Sequence, residues 1–122
     1  MDILILEDNV ERISSFMAVL HDHHVEYCMS SKSCVKLLYE RKWDWLFLDH
    51  DLGEEHLVGT GYDVAVWLEA HPEFMPAKGV ILHSSNAVGR ARMAQALPDS
   101  ATQLPDAWTM SDLEDRLKSR ED

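Results

Sequence analysis

Acidic residues follow two apolar runs of the chain, and their types and positions suit a metal ion. Glu7 and Asp8 come directly after the run 3–6, and Asp49 and Asp51 follow the run 45–48. Several carboxylates within contact range cannot all stay ionised unless a cation offsets their repulsion. Mg²⁺ prefers oxygen ligands and keeps bound waters for a substrate phosphate. We therefore predict a Mg²⁺ (or Mn²⁺) site with ligands from Glu7, Asp8, Asp49 and Asp51.

Polar residues after a third apolar run, 80–82, suit a phosphate group. His83 ends this run, Ser84, Ser85 and Asn86 follow it, and Arg90 comes about one helical turn later. Residues at a helix start offer hydroxyls and free backbone N–H groups to an anion, and an arginine can hold a phosphate with two hydrogen bonds. The alternative is an ordinary helix start with a surface salt bridge at Arg90. The predicted phosphate-binding residues are Ser84, Ser85, Asn86 and Arg90.

Two histidines are candidates for proton transfer, because an imidazole titrates near neutral pH. His50 lies between the two aspartates, and His83 ends an apolar strand. Carboxylates nearby would raise the pKa of either imidazole and favour its role as an acid. Simple packing under a loop is the alternative for His50. The predicted catalytic residues are Asp49, His50 and His83.

Alternating strand and helix patterns must position these side chains. Runs of apolar residues predict strands buried on both faces, and 25–29 alternates in the manner of a half-buried edge strand. Asp8 with Glu11, Ser31 or Ser33, and Ser111 with Glu114 are the predicted starts of three helices. Five strand–helix units predict a three-layer α/β/α flavodoxin-like fold with a five-stranded parallel sheet of order 2-1-3-4-5. That order brings the first and third strands together at the switch point, where ligands bind.

Composition limits the partners and the cellular setting. The 122 residues suffice for one domain, 1–122, and the net charge of −11 opposes binding to extended duplex nucleic acid. No apolar run is long enough to span a bilayer, and no signal-peptide pattern opens the chain. Cys28 and Cys34 are expected to be reduced, half-buried core residues. We expect a cytoplasmic protein whose partner is a phosphorylated small molecule or a nucleic-acid end.

The order of these residues resembles the response-regulator receiver domain over nearly the whole chain. Glu7-Asp8, Asp49, a serine after the fourth strand and Pro105 after the fifth carry the resemblance. It implies that Asp49 accepts a phosphoryl group beside Mg²⁺ held by the acidic residues. A lysine before the proline belongs to that pattern, but Leu104 stands there. A signalling role would therefore lack the cation that couples the acyl phosphate to movement.

Three further motifs resemble the cyclic-phosphate processing receiver domains. They are DHDL after the third strand, the Gly-Thr-Gly-Tyr turn at 59–62, and HSSN followed by Gly89-Arg90. The resemblance implies handling of cyclic phosphate ends in RNA repair. Opening a cyclic phosphodiester needs an activated water, charge neutralisation and an acid for the leaving oxygen, which a cation and an imidazole can supply.

Three functions remain open from the sequence. The first is a metal-dependent phosphoesterase acting on a cyclic phosphate. The second is a signalling receiver phosphorylated on Asp49, and the third is a pseudo-receiver that only binds a partner. The cluster 21–24 resembles a metal motif, but it falls at the opposite rim, where imidazoles favour a helix C-terminus. Trp108 is expected near the active rim, because it follows Pro105.

Overall fold

The computed structural model describes residues 1–105 and 107–118, within which five parallel strands form one sheet. The strands are β1 (Asp2–Leu6), β2 (His24–Cys28), β3 (Trp45–Leu48), β4 (Gly79–Leu82) and β5 (Ala101–Gln103). The helices are α1 (Val10–Val19), α2 (Ser31–Glu40), α3 (Glu55–Val58), α4 (Gly61–Ala70), α5 (Ala87–Ala96) and α6 (Met110–Lys118). The strand order β2-β1-β3-β4-β5 confirms the predicted flavodoxin-like topology.

The continuous apolar runs of the three central strands are buried on both faces of the sheet. Side chains alternate between the faces, so Ile3, Ile5 and Phe47 pack in one core and Leu4 and Leu6 in the other. The first core is closed by α1 and α6, and the second by α2, α4 and α5. Helices therefore cover both faces, as parallel sheets require.

The helices begin at neighbouring residues rather than at the predicted ones. Asn9 caps α1 by accepting from the backbone N–H of Arg12, and Ser30 caps α2 by accepting from Ser33. Thr109 and Asp112 exchange hydrogen bonds at the start of α6. The predicted caps at Asp8, at Ser31 or Ser33 and at Ser111 were therefore wrong, by one to three residues. More than one residue able to cap lies near the start of each of these helices, and the tertiary fold selects which of them starts it.

The edge strand β2 departs from the predicted alternation. Cys28 is buried, whereas Tyr27 and Met29, which were expected to face inward, are half or nearly half exposed. Cys28 and Cys34 are both free and fully enclosed in one core, and not half-buried as predicted. Burial raises the pKa of the Cys34 thiol well above its usual value. No helix in the described ranges is long and apolar enough to cross a membrane.

Candidate functional site

The candidate site is built on the last rung of hydrogen bonds in the sheet. The backbone N–H groups of Glu7, Asp49 and His83 donate to the neighbouring strands, each over 3.1 Å, at Cys28, Leu6 and Leu48. These residues continue the alternation of Ile5, Phe47 and Ile81, so their side chains face the layer of α1 and α6. Aromatic contacts agree, since the rings of His83 and Phe16 of α1 lie 5.1 Å apart.

Three carboxylates meet at this rung. Glu7, Asp8 and Asp49 each place an oxygen within 4.8 Å of the other two. Glu7 and Asp49 are buried, while Asp8 is more exposed and opens the group to solvent. An oxygen-rich, partly open group of this kind fits the preference of Mg²⁺ for carboxylates and retained waters. The strand order thus brings together three of the four acidic residues named from the sequence.

Burial forces two of these carboxyls to share a proton when no cation is present. Loss of solvation and the neighbouring charge of Asp49 raise the pKa of Glu7 from 4.5 to about 7. Burial also raises the pKa of Asp49, although a hydrogen bond from Glu7 opposes that effect. Glu7 is therefore the protonated partner near neutral pH. A divalent cation would take the place of this proton, because it neutralises both carboxylates.

Asp51 lies outside the acidic group. Its carboxylate is 63% exposed and lies 2.8 Å from Nδ1 of His50. Both of its oxygens also lie 3.4 Å from the side-chain nitrogen of Asn86. The structure therefore does not join Asp51 to the predicted ligand set. Strand β3 ends at Leu48, so the strand alternation that would align Asp51 with Asp49 stops before it.

His50 is oriented by Asp51. A carboxylate at 2.8 Å accepts a hydrogen bond, so Nδ1 carries a proton and Nε2 is the ring nitrogen left for another partner. The ring packs on the first turn of α5, where a Cβ added to Gly89 would lie 2.5 Å from it. His50 is thus held by a carboxylate on one side and a glycine on the other.

His83 has the opposite character. Its ring is fully buried, and neither ring nitrogen has a well-formed hydrogen bond among the described residues, although the backbone of Leu6 lies close to the ring. Nδ1 lies 3.6 Å from Oε1 of Glu7. Burial, with help from the charge of Arg12, lowers the pKa of His83 to about 3. The expectation that nearby carboxylates would raise this pKa was wrong, because loss of solvation outweighs their attraction.

Arg12 is the residue that sequence reasoning missed. Its guanidinium donates from Nη1 to Oε1 of Glu7 over 3.1 Å, from the first turn of α1. The other oxygen of Glu7 accepts from the backbone N–H groups of Asp8 and Asn9. A cation in the first turn opposes the helix dipole, and that unfavourable position was the available signal. Leu104 stands where the receiver pattern has a lysine, and it is buried in the core. The positive charge beside Glu7 comes from Arg12.

Of the residues predicted to bind phosphate, Ser84, Asn86 and Arg90 contact other parts of the protein, and Ser85 is exposed at the rim. The Ser84 hydroxyl donates to Asp49. Asn86 caps α5 by accepting from the N–H of Gly89. Arg90 is buried and donates to the carbonyl oxygen of Ser84 over 2.6 Å. Arg90 also contacts Gln103 at 3.3 Å, so its observed contacts brace the loop after β4.

Comparisons with known proteins agree on the fold. The CheY4 structure of Vibrio cholerae matches with a TM-score of 0.75 and 12% identity, over 97% of this chain and 96% of that one. A receiver domain of Methanospirillum hungatei JF-1 matches with a TM-score of 0.73 and 16% identity, over 96% of this chain and 90% of that one. The Thermotoga maritima regulator TrrA, solved in complex with Mg(2+)-BeF, matches with a TM-score of 0.74 and 15% identity, over 98% of both chains.

A family model supplies the more specific result. No curated protein matches the chain significantly. The model described as the cyclic-phosphate processing receiver domain matches residues 3–99, which include every residue of the candidate site up to Arg90. That match covers most of the chain, and it agrees with the motifs at 49–52, 59–62 and 83–90. The chain therefore belongs to the family of cyclic-phosphate processing receiver domains.

Proposed function

We propose that this domain is a Mg²⁺-dependent phosphoesterase that opens a cyclic phosphate at the end of a nucleotide or an RNA. The observation that carries the proposal is the group of three carboxylates, Glu7, Asp8 and Asp49, within 4.8 Å of one another. Two of them are buried and share a proton, so the site favours a divalent cation over its empty state. When bound, such a cation supplies charge neutralisation at a phosphate and a more acidic water.

Residues of the chain then have distinct tasks in the reaction. Arg12 lies beside Glu7 with a part-exposed guanidinium, so it is suited to bind a phosphoryl oxygen. His50, with Nδ1–H directed to Asp51, is suited to take a proton from the attacking water through Nε2. The new P–O bond forms as the bond to one ribose oxygen breaks, that oxygen takes a proton from solvent, and His50 releases to solvent the proton it accepted. His83 stays neutral beside Glu7 and orients a polar group rather than carrying charge.

The test is turnover of adenosine 2′,3′-cyclic phosphate with Mg²⁺, followed by phosphorus NMR. Wild-type protein should convert the cyclic signal to a monoester signal, and Asp49→Asn should not. Asp22→Asn is the matched control, because the side chain of Asp22 is 83% exposed and pairs with His21 at the opposite rim. No turnover by the wild type, or full turnover by Asp49→Asn, would contradict the proposal.

A second candidate function is phosphorylation of Asp49. The observation in its favour is the Ser84 hydroxyl, which donates to Asp49 from the position after β4. Against it, the lysine position of a receiver holds the buried Leu104. Incubation with acetyl phosphate and Mg²⁺ should add the mass of one phosphoryl group if this function applies, and Asp49→Asn should prevent the addition.

A further inference from the structure

We propose that the cleft between α1 and α6 binds the nucleoside that carries the cyclic phosphate. This inference rests on the proposed function and names its substrate more closely. The cleft has a volume of about 470 Å³, and its walls include Arg12, Ser15, His83, Ser85, Trp108 and Thr109. Pockets for small organic ligands usually measure roughly 300–1,000 Å³, which is more than a phosphate alone requires. The site therefore has room for an organic group beside the reacting phosphate.

Two residues join the cleft to the acidic group. Arg12 lines the cleft and lies 3.1 Å from Oε1 of Glu7. His83 also lines the cleft, and its Nδ1 lies 3.6 Å from the same oxygen. A ligand whose phosphate meets the acidic group near Arg12 would thus place its remaining atoms in the cleft.

His83 supplies an independent sign that a polar ligand group belongs here. Buried polar atoms nearly always have partners, and an unpartnered one in a native protein calls for an explanation. Neither ring nitrogen of His83 has a well-formed hydrogen bond within the described ranges, although the residue is fully buried, lies near the backbone of Leu6 and lines the cleft. A ribose hydroxyl or a phosphate ester oxygen would satisfy one of them.

The remaining walls suit a base and a sugar better than a second phosphate. The indole N–H of Trp108 donates to the carbonyl oxygen of His83 over 3.0 Å, which fixes the ring at the cleft. Phe16 stacks with Trp108 at an interplanar angle of 7°, which further fixes its plane. A rigid aromatic plane is the usual partner of a nucleobase. Glu11 also lines the cleft and opposes additional negative charge.

Matched serines on α1 provide the test. Ser15 and Ser14 are both exposed, but of the two only Ser15 lines the cleft. The probes are adenosine 2′,3′-cyclic phosphate, a short oligoribonucleotide with the same end, and ethylene phosphate, which lacks a nucleoside. For each probe the measured quantity is KM if turnover occurs and Kd by calorimetry if it does not.

The nucleoside should lower this constant about tenfold relative to ethylene phosphate, the size expected for one stacked base. Ser15→Leu should raise the constant for both nucleoside probes about fivefold and leave that for ethylene phosphate within about twofold. Ser14→Leu should leave all three constants unchanged. Three outcomes would overturn the inference. The first is an equal KM or Kd for the nucleotide and ethylene phosphate, and the second is an equal effect of Ser15→Leu and Ser14→Leu. The third is an effect of Ser15→Leu on the oligoribonucleotide alone. Failure of the proposed function is distinguishable, because it appears as absence of turnover with every probe.

Discussion

Replacement of Glu7 by glutamine tests whether burial and the neighbouring charge of Asp49 disfavour the ionised form of Glu7. The pKa of Glu7 is 4.5 when exposed and about 7 in the folded protein. At 1.36 kcal/mol for each pKa unit, that difference corresponds to a cost of about 3 kcal/mol once Glu7 is ionised. Glutamine keeps the shape of the side chain and cannot ionise. In the absence of metal, Glu7→Gln should therefore be the more stable protein at neutral and alkaline pH.

The sign of the effect depends on pH in a defined window. Below pH 4.5 Glu7 is protonated in both the folded and the unfolded chain, so its titration contributes nothing. As pH rises from 4.5 to about 7, the unfolded chain releases the proton while the folded chain keeps it, and folding stability falls. His83 acts in the opposite direction: its pKa is lowered from 6.5 to about 3, so its contribution to stability rises across that range. Both proteins contain His83, so its contribution is common to the two and the difference between them reports on the Glu7 and Asp49 pair.

Urea denaturation at a series of pH values in EDTA measures this difference directly. The free energy of unfolding of Glu7→Gln minus that of the wild type should rise by about 3 kcal/mol between pH 4.5 and 7.5. Glu114→Gln serves as the control, because Glu114 is exposed on α6, and its difference should stay within about 0.5 kcal/mol throughout. Parallel curves for wild type and Glu7→Gln across this window would refute the reasoning. Adding Mg²⁺ should restore stability to the wild type above pH 7 more than to the variant.

Three further predictions follow from single contacts. Gly61→Ala would place a Cβ 2.0 Å from the Asp49 carbonyl oxygen, so chemical denaturation should show a loss of about 2–4 kcal/mol, and a neutral result would contradict that packing. Asp8→Asn should weaken Mg²⁺ binding at least about tenfold in calorimetry, whereas Asp51→Asn should change it less than about twofold. Equal effects of those two variants would return Asp51 to the ligand set. Arg90→Met removes a charged donor from a buried carbonyl oxygen, and the loss of unfolding free energy should be about 2–3 kcal/mol, with thermal denaturation as an independent check.

Some features could be predicted from the sequence because they depend on short-range patterns. Uninterrupted apolar runs at 3–6, 45–48 and 80–82 predicted central parallel strands, and the order of the units then brought Glu7 beside Asp49. Asp51 was placed with Asp49 because both follow the same strand at the edge of the sheet where β1 and β3 meet. The structure shows that the chain turns before that residue, so Asp51 meets His50 instead.

Other features depend on burial, which a single sequence does not reveal. Arg12 was not singled out from the sequence, and its guanidinium reaches a fully buried carboxylate. The carboxylates near His83 suggested a raised pKa, but complete removal of water from the ring reverses the direction. Arg90 was predicted to hold a phosphate from one turn into a helix. It is buried and donates to the carbonyl oxygen of Ser84.

The position of Glu7, Asp49 and His83 on the terminal rung of the sheet has a consequence for how the protein opens. The amide protons of Asp49 and His83 are bonded to Leu6 of β1 and Leu48 of β3, central strands whose side chains are buried on both faces, whereas the amide proton of Glu7 is bonded to Cys28 of the outer strand β2. Amides held between central strands exchange with solvent only in the rarest and largest openings. Fluctuations of α3 or of the outer strands can therefore come and go while the amides of Asp49 and His83 remain protected in deuterium oxide. In this protein, Asp49 and His83 of the candidate site are therefore carried on the most persistent part of the native backbone.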